Sequence, residues 1–239
     1  MNNTRWQKRL KWKRASAIAI IASVVILGLF AAFTIYGNKV GNFVINVDND
    51  KDVHLSLSVE ENYTAQTERL AFDGLSELGD TTYAYLPDVI AANGIGDKSV
   101  SKSHMAYSFY LINNSDRAVD YQMELKVAGV VGEPLQILRV MLIEGDASTF
   151  DESNRIYALP EATLEAEQHL ESQLERYLPY QTEPFLLDRD MIFSIGVKDM
   201  EQGAIQKYTV VVWIEGCDIE CTNNHLGDRI KMELDITGQ

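Results

Sequence analysis

"VDYQMELKV", residues 119–127, alternates apolar and polar side chains without a break. Val119, Tyr121, Met123, Leu125 and Val127 fall on one side, and Asp120, Gln122, Glu124 and Lys126 on the other. That period of two belongs to a β-strand with one buried face and one wet face. The same pattern recurs along the chain. Val53, Leu55, Leu57 and Val59 form one such face, and Met105, Tyr107, Phe109 and Leu111 another. Ile230, Met232, Leu234 and Ile236 form a third, against Arg229, Lys231, Glu233 and Asp235.

Other runs are apolar on both sides. "YTVVVWI", Tyr208 to Ile214, reads as a central strand covered on both faces. "LQILRVMLI", Leu135 to Ile143, is similar apart from Arg139. "MIFSIGV", Met191 to Val197, and "NFVINV", Asn42 to Val47, add two more strands. Turn-forming clusters separate them: "NNSDR", "GVVGEP", "KDMEQG" and "NGIGD". "LINNSDRAVDY" reads as a hairpin, with Asn113 to Asp116 joining two alternating runs.

Seven or eight short strands without regular helices between them predict a mainly β fold, an antiparallel β-sandwich. One inserted helix is expected at about 160–178, in "PEATLEAEQHLESQLERYLP". Pro160 suits a first helical turn, and the acids come early with Arg176 late, as the helix dipole prefers. Leu164, Leu170, Leu174 and Leu178 make only a narrow apolar stripe. A helix lying over one end of the sandwich is preferred to a lid or a partner-docking helix.

The chain has 239 residues, 21 of them basic and 35 acidic. Arg5, Lys8, Arg9, Lys11, Lys13 and Arg14 precede any acid, which leaves 15 basic residues for the rest. So acidic a body argues against nucleic acid as a partner. After the basic stub, "ASAIAIIASVVILGLFAAFTIYG", Ala15 to Gly37, carries no charge. About 20 apolar residues cross a bilayer. A cleaved signal peptide would have a shorter apolar region ending in a small-x-small site. Here Phe30 or Leu29 would occupy the third position back from the available cleavage points. The expectation is an uncleaved signal anchor. The positive-inside rule puts residues 1–14 in the cytoplasm and 38–239 outside as the β domain.

The densest polar chemistry lies in "VVWIEGCDIECTNNHLGDR", Val211 to Arg229. Cys217 and Cys221 are the only cysteines. Outside the cell one disulfide is the preferred reading over two free thiols. Zinc is an alternative, since Cys217, Cys221 and His225 stand at C-x3-C-x3-H spacing with Glu215 or Asp218 as a fourth ligand. Calcium is another, through the oxygens of Glu215, Asp218, Glu220, Asn223 and Asp228, although the spacing is not that of an EF-hand. The plainest alternative is an acidic loop that is polar because it is wet. No other cofactor is expected. His54, His104, His169 and His225 sit in no metalloprotease motif and beside no nucleophile elbow, so no enzyme is expected. A hydrolase with paired carboxylates is the remote exception.

"YTVVVWIEGCDIECTNNHLGDRIKMELDI" resembles the closing segment of an uncharacterised family of membrane-anchored Gram-positive surface proteins. "YLPDVIAANGIGDKSVSKSHMAYSFYLINNSDRAVDY" is similar to the middle of the same proteins. More distantly, "FAAFTIYGNKVGNFVINVDNDKDVHLSLS" resembles the start of the TasA and camelysin group, secreted β-sandwich proteins of biofilm fibres and cell surfaces. This chain differs from that group in its long anchor. The resemblance implies a structural, adhesive or assembly role at the cell surface. Association is expected by strand addition, with Asn42 to Val47 as the candidate edge. A partner- or ligand-binding subunit of a membrane complex is the alternative.

Overall fold

The computed structural model describes residues 23, 43–72, 79–82, 86, 104–145, 155–159, 182–187, 190–218 and 220–239. The chain divides into two compact units, Met1–Gly41 and Asn42–Gln239. In the first unit only Ser23 is described, and it is helical. Apart from Ser23, the anchor at 15–37, its six basic flanking residues and the expected helix at 160–178 lie outside the described residues. Among the described residues no helix is long and apolar enough to cross a membrane.

The second unit is mainly β. Its strands are β1 (Phe43–Asp48), β2 (Leu55–Ser58), β3 (Arg69–Phe72), β4 (Asp80–Thr81), β5 (His104–Asn113) and β6 (Val119–Val131). After a 3-10 turn at Pro134–Gln136 come β7 (Leu138–Glu144), β8 (Arg155–Ala158) and β9 (Thr182–Pro184). Then follow β10 (Met191–Met200), β11 (Ile205–Glu215) and β12 (Arg229–Gly238). The first sheet has the order β10-β6-β12-β1-β3. The second has the order β2-β5-β11-β7-β8-β9, with β4 also paired to β11.

Most pairs are antiparallel, but the sandwich is not purely so. β1 runs parallel to β12, β4 to β11 and β8 to β9. The correction has a simple cause. Strands from distant parts of the chain meet in one sheet, and no short turn constrains their relative direction. The additional strands beyond seven or eight are β3, β4, β8 and β9, too short to show an alternation.

The expected amphipathic faces meet in one core. Tyr121, Met123 and Leu125 of β6 and Met232, Leu234 and Ile236 of β12 come from the first sheet. Tyr107, Phe109 and Leu111 of β5 and Val210 and Val212 of β11 come from the second. The hydroxyls of Tyr121 and Tyr208 hydrogen-bond to each other across this core.

The β5–β6 connection is not a hairpin. β5 belongs to the second sheet and β6 to the first, so residues 114–118 form an arch across the sandwich. β5 is buried on both faces and β6 on one, and an arch lets the Tyr107, Phe109 and Leu111 face of β5 oppose the apolar face of β6. Asn113 fixes the corner. It is fully buried, and its Nδ2 reaches the carbonyl oxygens of Arg117, Met200 and Glu201 at 2.9, 2.9 and 3.1 Å. Its Oδ1 accepts from the Ser115 N–H at 2.9 Å. The β10–β11 arch is thereby stitched to the β5–β6 arch.

β1 is not an edge. β12 occupies one side and β3 the other. Thr67, just before β3, pairs with Leu57 of β2, so this short stretch closes one side of the sandwich. Strand addition at Asn42 to Val47 is therefore blocked. Among the described residues the outer side of β10 beyond the Leu186–Met191 bridge is the longer open edge.

Candidate functional site

β11 ends in a row of buried polar side chains. Its Trp213 pairs in register with His104 of β5 and with Arg139 of β7. None of the three has access to solvent. The row lies on the face of the second sheet opposite the main core, beside Ala106, Met141, Ile143, Ile156, Val211 and Leu86. Alternation along β11 explains the placement, since Val210 and Val212 face the main core and Val211 and Trp213 the second cluster.

A buried guanidinium is costly unless it is paired. Asp218 supplies the pairing, with Oδ2 2.7 Å from Arg139 Nη2 and both side chains wholly buried. Arg139 Nη1 also donates to the Leu138 carbonyl at 3.2 Å. Glu215, equally buried, accepts from Trp213 Nε1 at 3.0 Å and from the Cys217 N–H at 3.3 Å. The connection coils to bring these acids inward. The Asp218 N–H donates to the Glu215 carbonyl, and the Cys221 N–H to the Asp218 carbonyl, at 3.1 and 3.0 Å. The Gly216 N–H donates to the Thr81 carbonyl at 2.7 Å, which ties the turn to β4.

The five oxygen donors proposed for calcium separate into two groups. Glu215, Asp218 and Glu220 lie at the end of β11 and in the connection that follows, where Asp218 pairs with Arg139. Glu220 is exposed, and its carboxyl is pushed up chiefly by a hydrogen bond with Asp218. Asn223 and Asp228 lie further on. Asn223 opens a 3-10 turn, Asn223–His225. Asp228 Oδ2 lies 2.8 Å from His225 Nδ1 and accepts from the Glu133 N–H at 3.1 Å. Among the described residues no group of three or more His, Cys, Asp or Glu side chains is placed to hold a metal ion.

Cys217 and Cys221 are free, half-buried thiols. Burial is the main reason that both are pushed up from the ordinary value. Glu215 and Asp80 add to the effect at Cys217, and Asp80, Asp218 and Glu215 at Cys221. Of the zinc set, the two thiols lie in the connection after β11, and His225 is engaged by Asp228.

Paired carboxylates occur elsewhere, on the open face of the first sheet. Glu124 and Asp235 stand opposite each other in register, and each has an oxygen 3.0 Å from Lys126 Nζ. Asn46 donates to Glu233, and to Asp235 at 3.1 Å. The lysine between them offsets one of the two negative charges, and hydrogen bonding to Asp235 is the main cause holding its ammonium above the usual lysine range.

Sequence reasoning missed Arg139, His104 and Trp213 as one unit. The legible signal was a single charge in an otherwise apolar central strand, which demands a buried acid nearby. The acid-rich connection after β11 was the place to look. The fold and the site define a two-sheet β domain with a buried ion pair locking one rim. No known protein-family model matches the chain, and no curated protein matches it in sequence.

Proposed function

We propose that the chain is a single-pass, membrane-anchored surface module whose β domain acts by binding or assembly outside a Gram-positive cell. The observation that carries this reading is the order of parts. Six basic residues precede a charge-free run from Ala15 to Gly37, and a two-sheet β domain begins at Phe43. The acidic outer portion fits an exposed, self-repelling surface. Its buried ionisable groups are drawn into structural contacts: Arg139 with Asp218, Glu215 with Trp213. With β1 enclosed, self-association by strand addition falls to the open side of β10.

Protease treatment of intact cells tests the topology. The domain should be cut from outside, and a tag before Arg5 should stay protected. A protected domain would sink the reading. Cross-linking of the full chain in membranes tests assembly. A ladder of oligomers is expected, and it should weaken when Gly196→Pro is placed in the open edge of β10.

A further inference from the structure

The two ends of the sandwich differ in character. One end holds the β5–β6 and β10–β11 arches and the β1–β2 turn. It exposes Asp48, Asp50, Asp52, Asp116, Asp199 and Glu201 against Lys51, Arg117 and Lys198. The other end holds the close of β6, the close of β11 and the start of β12. There Val130 is 48% exposed, Val131 61% and Leu226 81%, the three most exposed large apolar side chains among the described residues. Arg229 pairs in register with Val131, and Lys231 with Gly129, so two exposed basic side chains border the valines. Among the described residues the exposed acids towards this end include Asp80, Glu133, Asp190 and Glu220.

Chain connectivity says at which end the chain enters the β domain. β1 begins at Phe43, which pairs with Met232, three residues into β12 from Arg229. Arg229 in turn pairs with Val131. β1 therefore starts at the apolar end and runs towards the acidic one. Only residues 38–42 lie between Gly37 and Phe43, a tether of roughly 18 Å at full stretch.

We propose that the rim of Val130, Val131 and Leu226 rests in the headgroup layer of the bilayer, with Arg229 and Lys231 against anionic lipid phosphates. This rests on reading 15–37 as a membrane span. The chemistry is that of interfacial contact, where small apolar side chains enter the boundary layer and flanking cations meet anionic headgroups. Exposed apolar residues rimmed by charge mark such contact surfaces. The acidic arch end is repelled by the same headgroups, so the end that carries the exposed apolar side chains, with two cations beside them, is the one that meets the bilayer. The arches and the polar hollow at Asp52, His54, Asn114, Asp116 and Arg117 then face outward, where a partner can reach them.

The test uses the full chain in nanodiscs of anionic phospholipid. A nitroxide is placed at one position at a time, through Ile26→Cys, Leu226→Cys or Asp116→Cys, each with Cys217→Ser and Cys221→Ser. Collisions with oxygen, which concentrates in lipid, are compared with collisions with a water-soluble nickel chelate. Labels at 26 and 226 should favour oxygen, the first more deeply, and the label at 116 should favour nickel. If 226 behaves like 116 while 26 favours oxygen, the rim proposal is wrong and the anchor stands. If 26 favours nickel, the anchor reading fails and takes this proposal with it. If 226 is shielded from both reagents and its spectrum is broadened by a second label, the rim binds another copy and the proposal is overturned. Hydrogen exchange on the unsubstituted chain gives a second readout that needs no variant. Amides at 223–228 should slow when zwitterionic nanodiscs are replaced by anionic ones, with 114–117 unaffected. Equal exchange at 223–228 in the two lipids would count against the proposal.

Discussion

Nη2 of Arg139, in the middle of a sheet, lies 2.7 Å from Oδ2 of Asp218, in the connection that follows the neighbouring strand, and neither side chain touches solvent. A pair of this kind contributes little net stability over an apolar replacement, yet removing one partner strands a buried charge. Asp218→Asn and Arg139→Met should each destabilise the domain by about 3–5 kcal/mol. Arg139→Met with Asp218→Leu should recover most of that loss. Urea unfolding of the four proteins measures the cycle. A double variant as unstable as the sum of the singles would refute the pairing as the reason for both residues.

Asn113 carries a comparable load at the other end of the molecule. Its Nδ2 serves carbonyls from two separate arches. Asn113→Ala leaves buried carbonyl oxygens without a donor, at about 1–3 kcal/mol for each left unsatisfied. Asn113→Asp should be worse, because it turns an acceptor towards acceptors. Thermal unfolding should rank wild type above alanine and alanine above aspartate. An aspartate variant as stable as wild type would show that the side chain does not hold the arches.

The strands were legible in the sequence where one face is wet. β6 and β12 alternate cleanly because the outer face of their sheet meets solvent, as at Gln122, Glu124, Glu233 and Asp235. β11 and β7 were legible for the opposite reason, being covered on both faces. Pairing was not legible. Whether Leu111 and Val119 flank a hairpin or an arch depends on which sheet receives each strand, and alternation is blind to that. Nor could local pattern reveal that β1 is enclosed by β12 and β3, which lie far apart along the chain. At the site, the polar run after β11 was visible, but its direction was misread. Its central acid points inward at Arg139, whose need for a partner only becomes apparent once β7 is placed beside β11.

His104 gives the domain a pH dependence. Burial pushes its imidazole below the ordinary 6.5. The unfolded chain therefore binds a proton between 6.5 and the lower folded value, while the folded chain does not. Stability from this group is complete above pH 6.5 and falls as pH drops through that window. His104→Gln should flatten this part of the profile. Chemical denaturation at half-unit steps from pH 7 to pH 4.5 reads it, and an unchanged slope in the variant would assign the dependence to other groups.

The thiols act in the alkaline range. Both are pushed above the ordinary 9.0, so the folded chain keeps protons that the unfolded chain releases. Stability should fall as pH rises through 9.0 towards the folded values. In the reduced protein, alkylation by iodoacetamide should reach half its maximal rate above pH 9.0 when folded and near it in denaturant. The coil from Glu215 to Cys221 carries residues 217 and 221 on successive turns, so mild oxidation should leave the intact chain two hydrogens lighter. A mass unchanged after oxidant would exclude the bridge.

Gly132 and Asp228 close the rim between β6 and the 3-10 turn. Gly132 has φ +78°, a conformation costly for any residue with a Cβ, by about 1–2 kcal/mol. An added Cβ would also fall 1.8 Å from Asp228 Oδ1. The aspartate cannot retreat without losing the Glu133 N–H and His225. Gly132→Ala should therefore cost more in the native background than in Asp228→Ala, where only the backbone strain remains. Contacting residues couple by about 0.5–3 kcal/mol, and the difference should fall in that range. Thermal unfolding of the four proteins measures it. Additive effects would mean that the glycine is required for its backbone alone, and that the carboxylate takes its place around whatever stands at position 132.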